Sequence, residues 1–229
     1  MLCGTILLMK GKLIVIDGAD GAGKATQLKL LHDKLKSDGM SVETIDFPRY
    51  TDNHFGKLLR ECLDGKRGDF MKLDPRVASV LFAADRFESS RHIIEWIETG
   101  SVVLADRYVS ANMLHQGAKL HDENERTEFI AWLDRMEHEV FALPRPDAIV
   151  YLDVPYSIRC RMLNQDNSRQ SLDVAEVDES HQIDTERSAQ TLVAAGNNWH
   201  AITCVSEDVL RDRDDIHKDI HAVVQKILV

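Results

Sequence analysis

Short apolar runs alternate with longer stretches of helical periodicity along most of this chain. The apolar runs, which predict buried strands, cover residues 13–16, 42–47, 102–105, 148–154 and 201–205. The stretches with apolar residues at helical spacing, which predict helices, cover residues 24–35, 55–63, 75–99, 123–141 and 214–227. Such alternation is typical of an α/β fold, in which helices cover both faces of a parallel sheet. We therefore expect five parallel strands, with ligands bound beyond their carboxyl ends.

The length of the chain limits its domain organisation. A chain of 229 residues can bury one full α/β core and leaves little room for a second. We expect a single domain over residues 11–229, preceded by an extension over residues 1–10. Residues 164–184 are polar, poor in aromatic residues and long for a loop, which predicts a mobile lid or a partly disordered segment. We expect the lid to cover about residues 160–184.

Composition and charge argue against several classes of protein. The chain is 44% hydrophobic and 29% charged, and its formal net charge is −10, without a visible basic patch, so no nucleic-acid partner is expected. Residues 1–9 are apolar but shorter than the ~20 residues that cross a bilayer, and they lack a basic leading region, so neither a membrane partner nor export is expected. Four cysteines without metal-type spacing predict free thiols in a reducing compartment, the cytoplasm. They are Cys3, Cys62, Cys160 and Cys204.

A glycine-rich segment joins the first predicted strand to the first predicted helix. Residues 18–26 have the spacing G-x4-G-K. Glycines at such positions let backbone N–H groups turn inward around a phosphate, and the N-terminus of the following helix adds partial positive charge. Lys24 can reach the β- and γ-phosphate oxygens of a nucleoside triphosphate, so the segment predicts ATP binding. The candidate ATP-binding residues are Gly18, Ala19, Asp20, Gly21, Ala22, Gly23, Lys24, Ala25 and Thr26.

One position of this segment departs from the usual pattern. Ala25 follows the lysine where a serine or threonine ordinarily gives a hydroxyl to Mg²⁺, and Thr26 comes one place later. We therefore expect the Mg²⁺ that accompanies ATP to be held through water and carboxylates.

Three further segments combine aromatic and basic residues at strand ends or on a helix. Residues 46–50 read Asp-Phe-Pro-Arg-Tyr at the end of the second strand, and residues 106–108 read Asp-Arg-Tyr at the end of the third. Residues 81–86 read Leu-Phe-Ala-Ala-Asp-Arg within a helix, where Phe82 and Arg86 share a face. The polar residues that follow the third strand are Ser110, Asn112, His115 and Gln116.

Together with the phosphate-binding segment, these motifs resemble the thymidylate kinase family. Its members carry a GxDGxGK(x)T segment, an FPR or FPRY segment, an LFxxDR helix, and a DRY segment followed by polar residues. The resemblance runs from about residue 12 to residue 154, and the mycobacterial type looks most similar. It implies a P-loop NTPase fold, direct in-line transfer of the γ-phosphate of ATP to dTMP with Mg²⁺, and a homodimer.

The resemblance also implies roles for the acceptor-side residues. An aromatic ring at Phe82 stacks on thymine, a contact worth roughly 1–3 kcal/mol per base. Arg86 hydrogen-bonds a base carbonyl, and Asn112 reads the thymine edge. Planar arginine side chains suit phosphate groups, and the family places such side chains at Arg49 and Arg107. The other residues of the implied dTMP and Mg²⁺ sites are Tyr50, His115, Gln116, Asp20 and Asp106.

A cation beside the transferred phosphate is the remaining part of the implied catalytic site. Gly21 stands where some family members place a catalytic arginine, and members with glycine there supply the arginine from the lid. Arg169 is the favoured candidate because it lies within the lid, whereas Arg159 and Arg161 could be ordinary surface charges. The implied catalytic residues are therefore Lys24, Asp20, Arg107 and Arg169.

Three positions depart from the family pattern. At His115 the mycobacterial type carries a tyrosine that disfavours ribonucleotides, which leaves the selectivity for deoxynucleotides open. Ser110 and Ala111 reverse the family order, so the serine is expected to point elsewhere. After the lid, Asp178 is the best counterpart of an acidic family segment.

Three other functions are alternatives to this interpretation. Another P-loop kinase, for a nucleoside or a different monophosphate, is disfavoured by the acceptor-side residues. A family member that binds nucleotides without catalysis is suggested by Ala25 and the altered lid. A signalling GTPase would carry an Asn-Lys-x-Asp motif, which the sequence lacks.

Overall fold

A central sheet organises the protein, whose computed structural model describes residues 10–165, 179–196 and 198–229. Five parallel strands lie in the order β2-β3-β1-β4-β5. Their bounds are β1 (Lys12–Asp17), β2 (Val42–Asp46), β3 (Val102–Asp106), β4 (Ala148–Asp153) and β5 (Trp199–Thr203). Each strand overlaps an apolar run of the sequence, and the predicted five-stranded parallel sheet is confirmed.

Helices follow the strands in alternation. They are α1 (Lys24–Ser37), α2 (His54–Leu63), α3 (Pro75–Glu98), α4 (Val109–His115), α5 (Glu123–Arg135), α6 (Tyr156–Gln165), α7 (Glu179–Ala195) and α8 (Arg213–Leu228). The short elements are 3₁₀ turns at Phe70–Lys72 and Gly117–Lys119, a π-helical turn at Met136–Val140, and an antiparallel pair formed by β6 (Val205–Ser206) and β7 (Val209–Leu210). No helix in the described ranges is both long and apolar enough to cross a membrane.

The central strand β1 packs into a hydrophobic core on each side of the sheet. Leu13 and Val15 belong to the core that includes residues of α3, α5 and α7. Ile14 and Ile16 belong to the opposite core, which includes residues of α1 and α8. All four side chains are fully buried. Burial on both faces explains why this strand is apolar without alternation.

The carboxyl ends of three neighbouring strands carry aspartates. The strand register pairs Asp46 of β2 with Asp106 of β3, and Ile16 of β1 also pairs with Asp106, so Asp17 lies at the same edge. The glycine-rich loop follows directly after β1. The predicted phosphate-binding and acceptor segments therefore leave the sheet side by side, where parallel sheets bind ligands.

Several local features differ from the sequence prediction. The short helix α4 was not predicted, because it has seven residues and no side-chain cap at Tyr108. The helix α7 was not predicted either, and its first residues lie in the stretch 164–184 that was expected to be a mobile lid or partly disordered. The helix predicted over 123–141 ends at Arg135 and continues as the π-helical turn Met136–Val140. That turn changes the direction in which the last side chains of the stretch point.

Helix α3 has a well-defined start and end. The side chain of Asp74 accepts hydrogen bonds from the backbone amides of Arg76 and Val77, and Pro75 occupies the first helical position. The helix ends before Gly100, which has a φ of +86° and stops it as predicted. This 24-residue helix carries the Leu-Phe-Ala-Ala-Asp-Arg segment in its middle.

Candidate active site

The loop between β1 and α1 has the backbone geometry of a phosphate cradle. Gly18, Gly21 and Gly23 all have positive φ angles, of 150°, 80° and 88°. A Cβ atom on Gly18 would lie 3.0 Å from the carbonyl oxygen of Leu152, so a larger residue would crowd β4. Gly23, the residue before α1, has no side chain to cap the helix, and no acidic residue lies in the first turn. The backbone N–H groups of the first turn of α1 can therefore donate hydrogen bonds to an anion.

Lys24 folds back over this loop. Its Nζ atom donates hydrogen bonds to the carbonyl oxygens of Gly18 (2.9 Å) and Ala19 (3.0 Å), and it lies 3.7 Å from Oδ1 of Asp20. The side chain is 9% exposed. Burial, together with the charge of Arg107, lowers the pKa of the lysine, against the opposing effect of nearby carboxylates. The ammonium group is thus held at the mouth of the cradle.

Arg107 connects the loop after β3 to the phosphate loop. Its Nη2 atom forms a close ion pair with Oδ1 of Asp20. Burial by itself would lower the pKa of the guanidinium. The nearby carboxylates raise it by more, so the net effect is a raised pKa; they belong to Asp20, Asp106 and Asp17. Its backbone has a φ of +63°, which non-glycine residues rarely adopt. Its buried Nε atom makes no hydrogen bond within the described part of the chain, so this donor is available to an anion.

Carboxylates surround these two cations. Burial raises the pKa of Asp106, and the charges of Lys24 and Arg107 oppose that shift. Burial likewise raises the pKa of Asp17, whose Oδ2 atom accepts a 2.5 Å hydrogen bond from Ser110. Ser110 therefore points toward β1.

The donor set near the loop suits a Mg²⁺ that arrives with a nucleotide. Asp20 and Asp106 provide carboxylate oxygens, the ligands that Mg²⁺ prefers. Within the described ranges, no three histidine, cysteine or acidic side chains lie close enough to hold a metal ion by themselves. Phosphate oxygens and water would have to complete the coordination.

A cleft opens beside the phosphate loop, and most of the predicted acceptor residues line it. Phe82 lies at its wall and meets Phe70 in an edge-to-face arrangement, at 5.9 Å between ring centroids and an interplanar angle of 68°. Apolar walls with a few converging polar groups are typical of small-molecule sites. The lining residues are Asp20, Phe47, Pro48, Tyr50, Leu63, Phe70, Met71, Phe82, Arg86, Arg107, Ala111, Asn112, His115 and Gln116.

Arg49 is the predicted acceptor residue that the cleft lining does not include. Its Nη2 atom donates to Asp52 at 2.9 Å, and its Nη1 atom lies 3.8 Å from Asp46. Its backbone is held firmly, because the amide donates to Oδ2 of the buried Asp85 at 3.0 Å. A Cβ atom on Gly56 would lie 2.0 Å from the carbonyl oxygen of Arg49, so α2 approaches this segment closely.

The lid arginines differ in position. Arg159, suggested as an ordinary surface charge, is 1% exposed: its guanidinium donates to the carbonyl of Asp20 (3.3 Å) and to Gln182 of α7 (2.7 Å). That suggestion was wrong, because α6 packs against the phosphate loop. Arg161 is exposed and donates to the carbonyl of Asp208. Arg169 and Asp178 lie outside the described residues.

Sequence reasoning missed two residues of the site. Glu137, in the π-helical turn, accepts hydrogen bonds from both Arg86 and Asn112. A local signal was available, because Glu137 follows Phe129 and Leu133 at intervals of four residues and so places an acidic residue on the apolar stripe. Asp17 carried a usable signal, since it is an acidic residue that ends an apolar strand just before the glycine-rich loop.

The fold and this site define the protein as an α/β P-loop nucleotide-binding protein. A solved structure of a thymidylate kinase from Candida albicans has the same fold, with a TM-score of 0.74 and 22% sequence identity over 96% of this chain and 94% of that one. The family model named "Thymidylate kinase" matches residues 16–216. The chain belongs to the thymidylate kinase family.

Sequence relatives agree with this assignment. The thymidylate kinase of Mycobacterium tuberculosis is 39% identical over 143 residues, which cover 62% of this chain and 65% of the relative. The match therefore spans slightly less than two thirds of that protein's length. A probable thymidylate kinase of Thermococcus onnurineus is 31% identical over 222 residues, which cover 94% of this chain and 98% of the relative. The resemblance inferred from the motifs is confirmed.

Proposed function

We propose that this protein transfers the γ-phosphoryl group of ATP to dTMP, producing ADP and dTDP for the synthesis of dTTP. The observation that carries the proposal is the ion pair between Arg107 and Asp20, which joins the acceptor cleft to the phosphate loop. A nucleotide with its base against Phe82 and its phosphate at Arg107 therefore has that phosphate beside the ATP site. The family membership supports the same reaction.

The ATP side of the reaction uses the cradle of residues 18–26. Backbone amides of the loop and of the first turn of α1 bind the phosphates. Lys24 exchanges its hydrogen bonds to Gly18 and Ala19 for bonds to the β- and γ-phosphate oxygens. Because the ammonium group is already buried at the mouth of the loop, this exchange needs only a short movement of the side chain.

The acceptor side positions dTMP for in-line attack. Phe82 stacks on the base, and Arg86 and Asn112 read its edge. Arg107 and Arg49 grip the phosphate, which requires Arg49 to turn from Asp52 toward the cleft. The other proposed dTMP contacts come from Tyr50, His115, Gln116 and Asp20, all of which line the cleft. An oxygen of the dTMP phosphate attacks the γ-phosphorus directly, so catalysis rests on positioning and charge neutralisation.

Mg²⁺ and the lid complete the proposed site. Mg²⁺ bound with ATP would neutralise charge on the β- and γ-phosphate oxygens, and Asp20 and Asp106 are the residues that would hold it. The lid over about residues 160–184 excludes water from the transferred group and brings Arg169 to it. This part of the proposal rests on the sequence pattern, since Arg169 lies outside the described residues.

A panel of acceptors tests the proposal directly. ADP release is measured with ATP, Mg²⁺ and dTMP, dUMP, dGMP, dCMP, AMP, CMP, UMP or thymidine. We expect turnover to be largely confined to dTMP, with dUMP about tenfold or more below it because it lacks one methyl group in an apolar cleft. Preference for a ribonucleotide or a nucleoside would overturn the acceptor assignment. Binding of dTMP and ATP without turnover would overturn the catalytic one.

We also propose that two copies associate through the outer side of α3. The α3 stripe consists of Val77, Val80, Phe87 and Ile94, which repeat at helical spacing and are 37–54% exposed. Phe87 packs against Phe141 at 5.5 Å between ring centroids, which extends the apolar surface beyond the helix. Phe87 and Ile94 both lie at the surface. In a two-fold dimer, the α3 stripe of one copy packs against the same stripe of the other.

Phe87→Glu should therefore convert a dimer to a monomer. A carboxylate in the middle of the α3 stripe would have to be buried without a partner in the dimer. Light scattering coupled to size exclusion should show the molar mass of the variant reduced to half. Val209→Glu, at an exposed apolar residue of β7, is the matched control and should leave the mass unchanged. A monomeric wild-type protein, or a dimeric Phe87→Glu variant, would refute this association.

The cysteines fit the proposed cytoplasmic location. Cys62, Cys160 and Cys204 are free thiols. Burial raises the pKa of Cys204 to about 12 and raises that of Cys62, so both thiols stay protonated and unreactive at neutral pH. Such thiols have no structural need for an oxidising compartment.

A further inference from the structure

Glu137 lies at the centre of the polar group that faces the acceptor base. It is fully buried, in the second position of the π-helical turn after α5. Its carboxylate accepts two hydrogen bonds from Arg86 of α3, from Nε to Oε2 at 2.7 Å and from Nη2 to Oε1 at 2.5 Å. Oε1 also accepts from Nδ2 of Asn112 on α4 at 3.1 Å. One carboxylate thus holds two of the proposed base-reading residues.

We propose that Glu137 is a positioning residue that sets the hydrogen-bond polarity of the acceptor cleft and thereby favours thymine over cytosine. An ionised carboxylate only accepts hydrogen bonds, so its neighbours must turn their donors toward it. This inference rests on the proposed function, because it concerns how the same cleft reads the base of dTMP.

The effect on Asn112 follows from its two amide donors. Nδ2 donates to Glu137 at 3.1 Å and to the carbonyl oxygen of Ser79 at 3.3 Å. Both partners are acceptors, so the amide cannot reverse without facing oxygen with oxygen. Since Asn112 is buried and lines the cleft, its amide oxygen is the group left for a ligand. Asn112 therefore presents an acceptor.

Arg86 presents the complementary donors. Glu137 occupies its Nε and one N–H of Nη2, and the carbonyl oxygen of Tyr108 accepts from Nη1 at 3.2 Å. These contacts fix the plane of the guanidinium, whose remaining N–H groups lie on Nη1 and Nη2. The cleft thus offers a donor from Arg86 next to an acceptor from Asn112. Thymine matches this pattern with its O4 and N3–H, whereas cytosine presents an amino donor and an N3 acceptor and is mismatched.

The buried ion pair between Arg86 and Glu137 is not explained by stability alone. Removing both charges from water carries a desolvation penalty that the ion pair often only balances, so a buried ion pair is weak evidence for stability. A fixed orientation of two ligand-reading side chains gives this pair a functional role. Glu137 follows the buried Phe129 and Leu133 at intervals of four residues, which places it on the inward face of this stretch.

Glu137→Gln tests the proposal, because glutamine keeps the shape of glutamate and adds a donor. In either orientation of the glutamine amide this donor faces an N–H of Arg86, so the guanidinium loses one of its two acceptors and is no longer held in its plane. We expect the ratio of kcat/KM for dTMP to kcat/KM for dCMP to fall by about tenfold or more, through a higher KM for dTMP. The KM for ATP should change little, since the ATP cradle does not contact Glu137.

The control makes the same carboxylate-to-amide change nearby, on α5. Asp134→Asn changes a carboxylate that Arg145 holds with two hydrogen bonds at the surface of α5, and it should leave both substrates unaffected. An equal loss for dTMP and dCMP in Glu137→Gln would show a merely structural role and overturn the proposal.

If Glu137→Gln folds poorly, Glu137→Asp is the variant to test. Its shorter side chain cannot reach both partners, so the dTMP to dCMP ratio should fall, and an unchanged ratio would refute the inference. Wild-type protein inactive on dTMP would instead refute the proposed function.

Discussion

Lys24→Ala should lower kcat about a thousandfold or more while the protein stays folded. The lysine is the ammonium group that the phosphate loop holds at its mouth, and phosphoryl transfer depends on neutralising charge that spreads over the transferred oxygens. Alanine removes this charge and leaves the backbone of the cradle intact. The hydrogen bonds lost to Gly18 and Ala19 are offset by the relief of burying an ammonium group, so the cost in stability should be modest. Steady-state ADP release and circular dichroism measure the two quantities.

Lys29→Ala is the matched control for this substitution. Lys29 lies on the same helix, but its side chain is 76% exposed and pairs with Asp33 at the surface. The control should retain full activity. An exposed ion pair contributes about 0–1 kcal/mol to stability, and Lys29 is not part of the phosphate loop. If Lys24→Ala kept the wild-type kcat, the assignment of the ATP site would be wrong.

Arg107→Met should reduce kcat/KM for dTMP by about a thousandfold, with a smaller effect on the KM for ATP. Methionine fills similar space but gives no charge to either phosphate. The substitution also removes the ion pair that joins Asp20 of the phosphate loop to the loop after β3. Under the proposed function Arg107 holds the dTMP phosphate beside the ATP site, so its loss affects both substrates. Initial rates with each substrate varied in turn separate the two effects.

Arg145→Met provides the comparison for Arg107→Met. Arg145 also pairs closely with an aspartate, Asp134, but at the surface and away from the cleft. Its loss should leave kcat/KM within about twofold of wild type, since exposed pairs contribute little. Equal effects of the two substitutions would mean that Arg107 acts through stability alone, and the proposed contact with the dTMP phosphate would have to be abandoned.

Features encoded by neighbouring residues could be predicted from the sequence. The strand β1 is apolar because both its faces are buried, and the glycine spacing that follows it is a local requirement of the cradle. Phe82 and Arg86 share a helix face by simple periodicity, and both line the cleft. These predictions depend on a few residues at fixed spacing, so tertiary structure did not need to be known.

Features that depend on packing between distant segments could not be predicted. Glu137 lies 51 residues from Arg86 in the chain, so their pairing depends on how α3 packs against the segment that follows α5. Arg159 looks like a surface charge in its own helix, and it is buried because α6, α7 and the phosphate loop meet around it. The short helix α4 lacks both a cap and the length that periodicity requires. In each case the missing information is long-range.

Helix α3 anchors two segments beside the acceptor cleft with consecutive residues. Asp85 holds the backbone of Arg49, while Arg86 turns toward Glu137. Because the spacing of neighbouring residues in a helix is fixed, the Arg49 segment and the Arg86–Glu137 pair keep a constant separation. Under the proposed function this separation sets the length of the acceptor: a monophosphate spans it, a nucleoside has no phosphate to place near Arg49, and a diphosphate is too long.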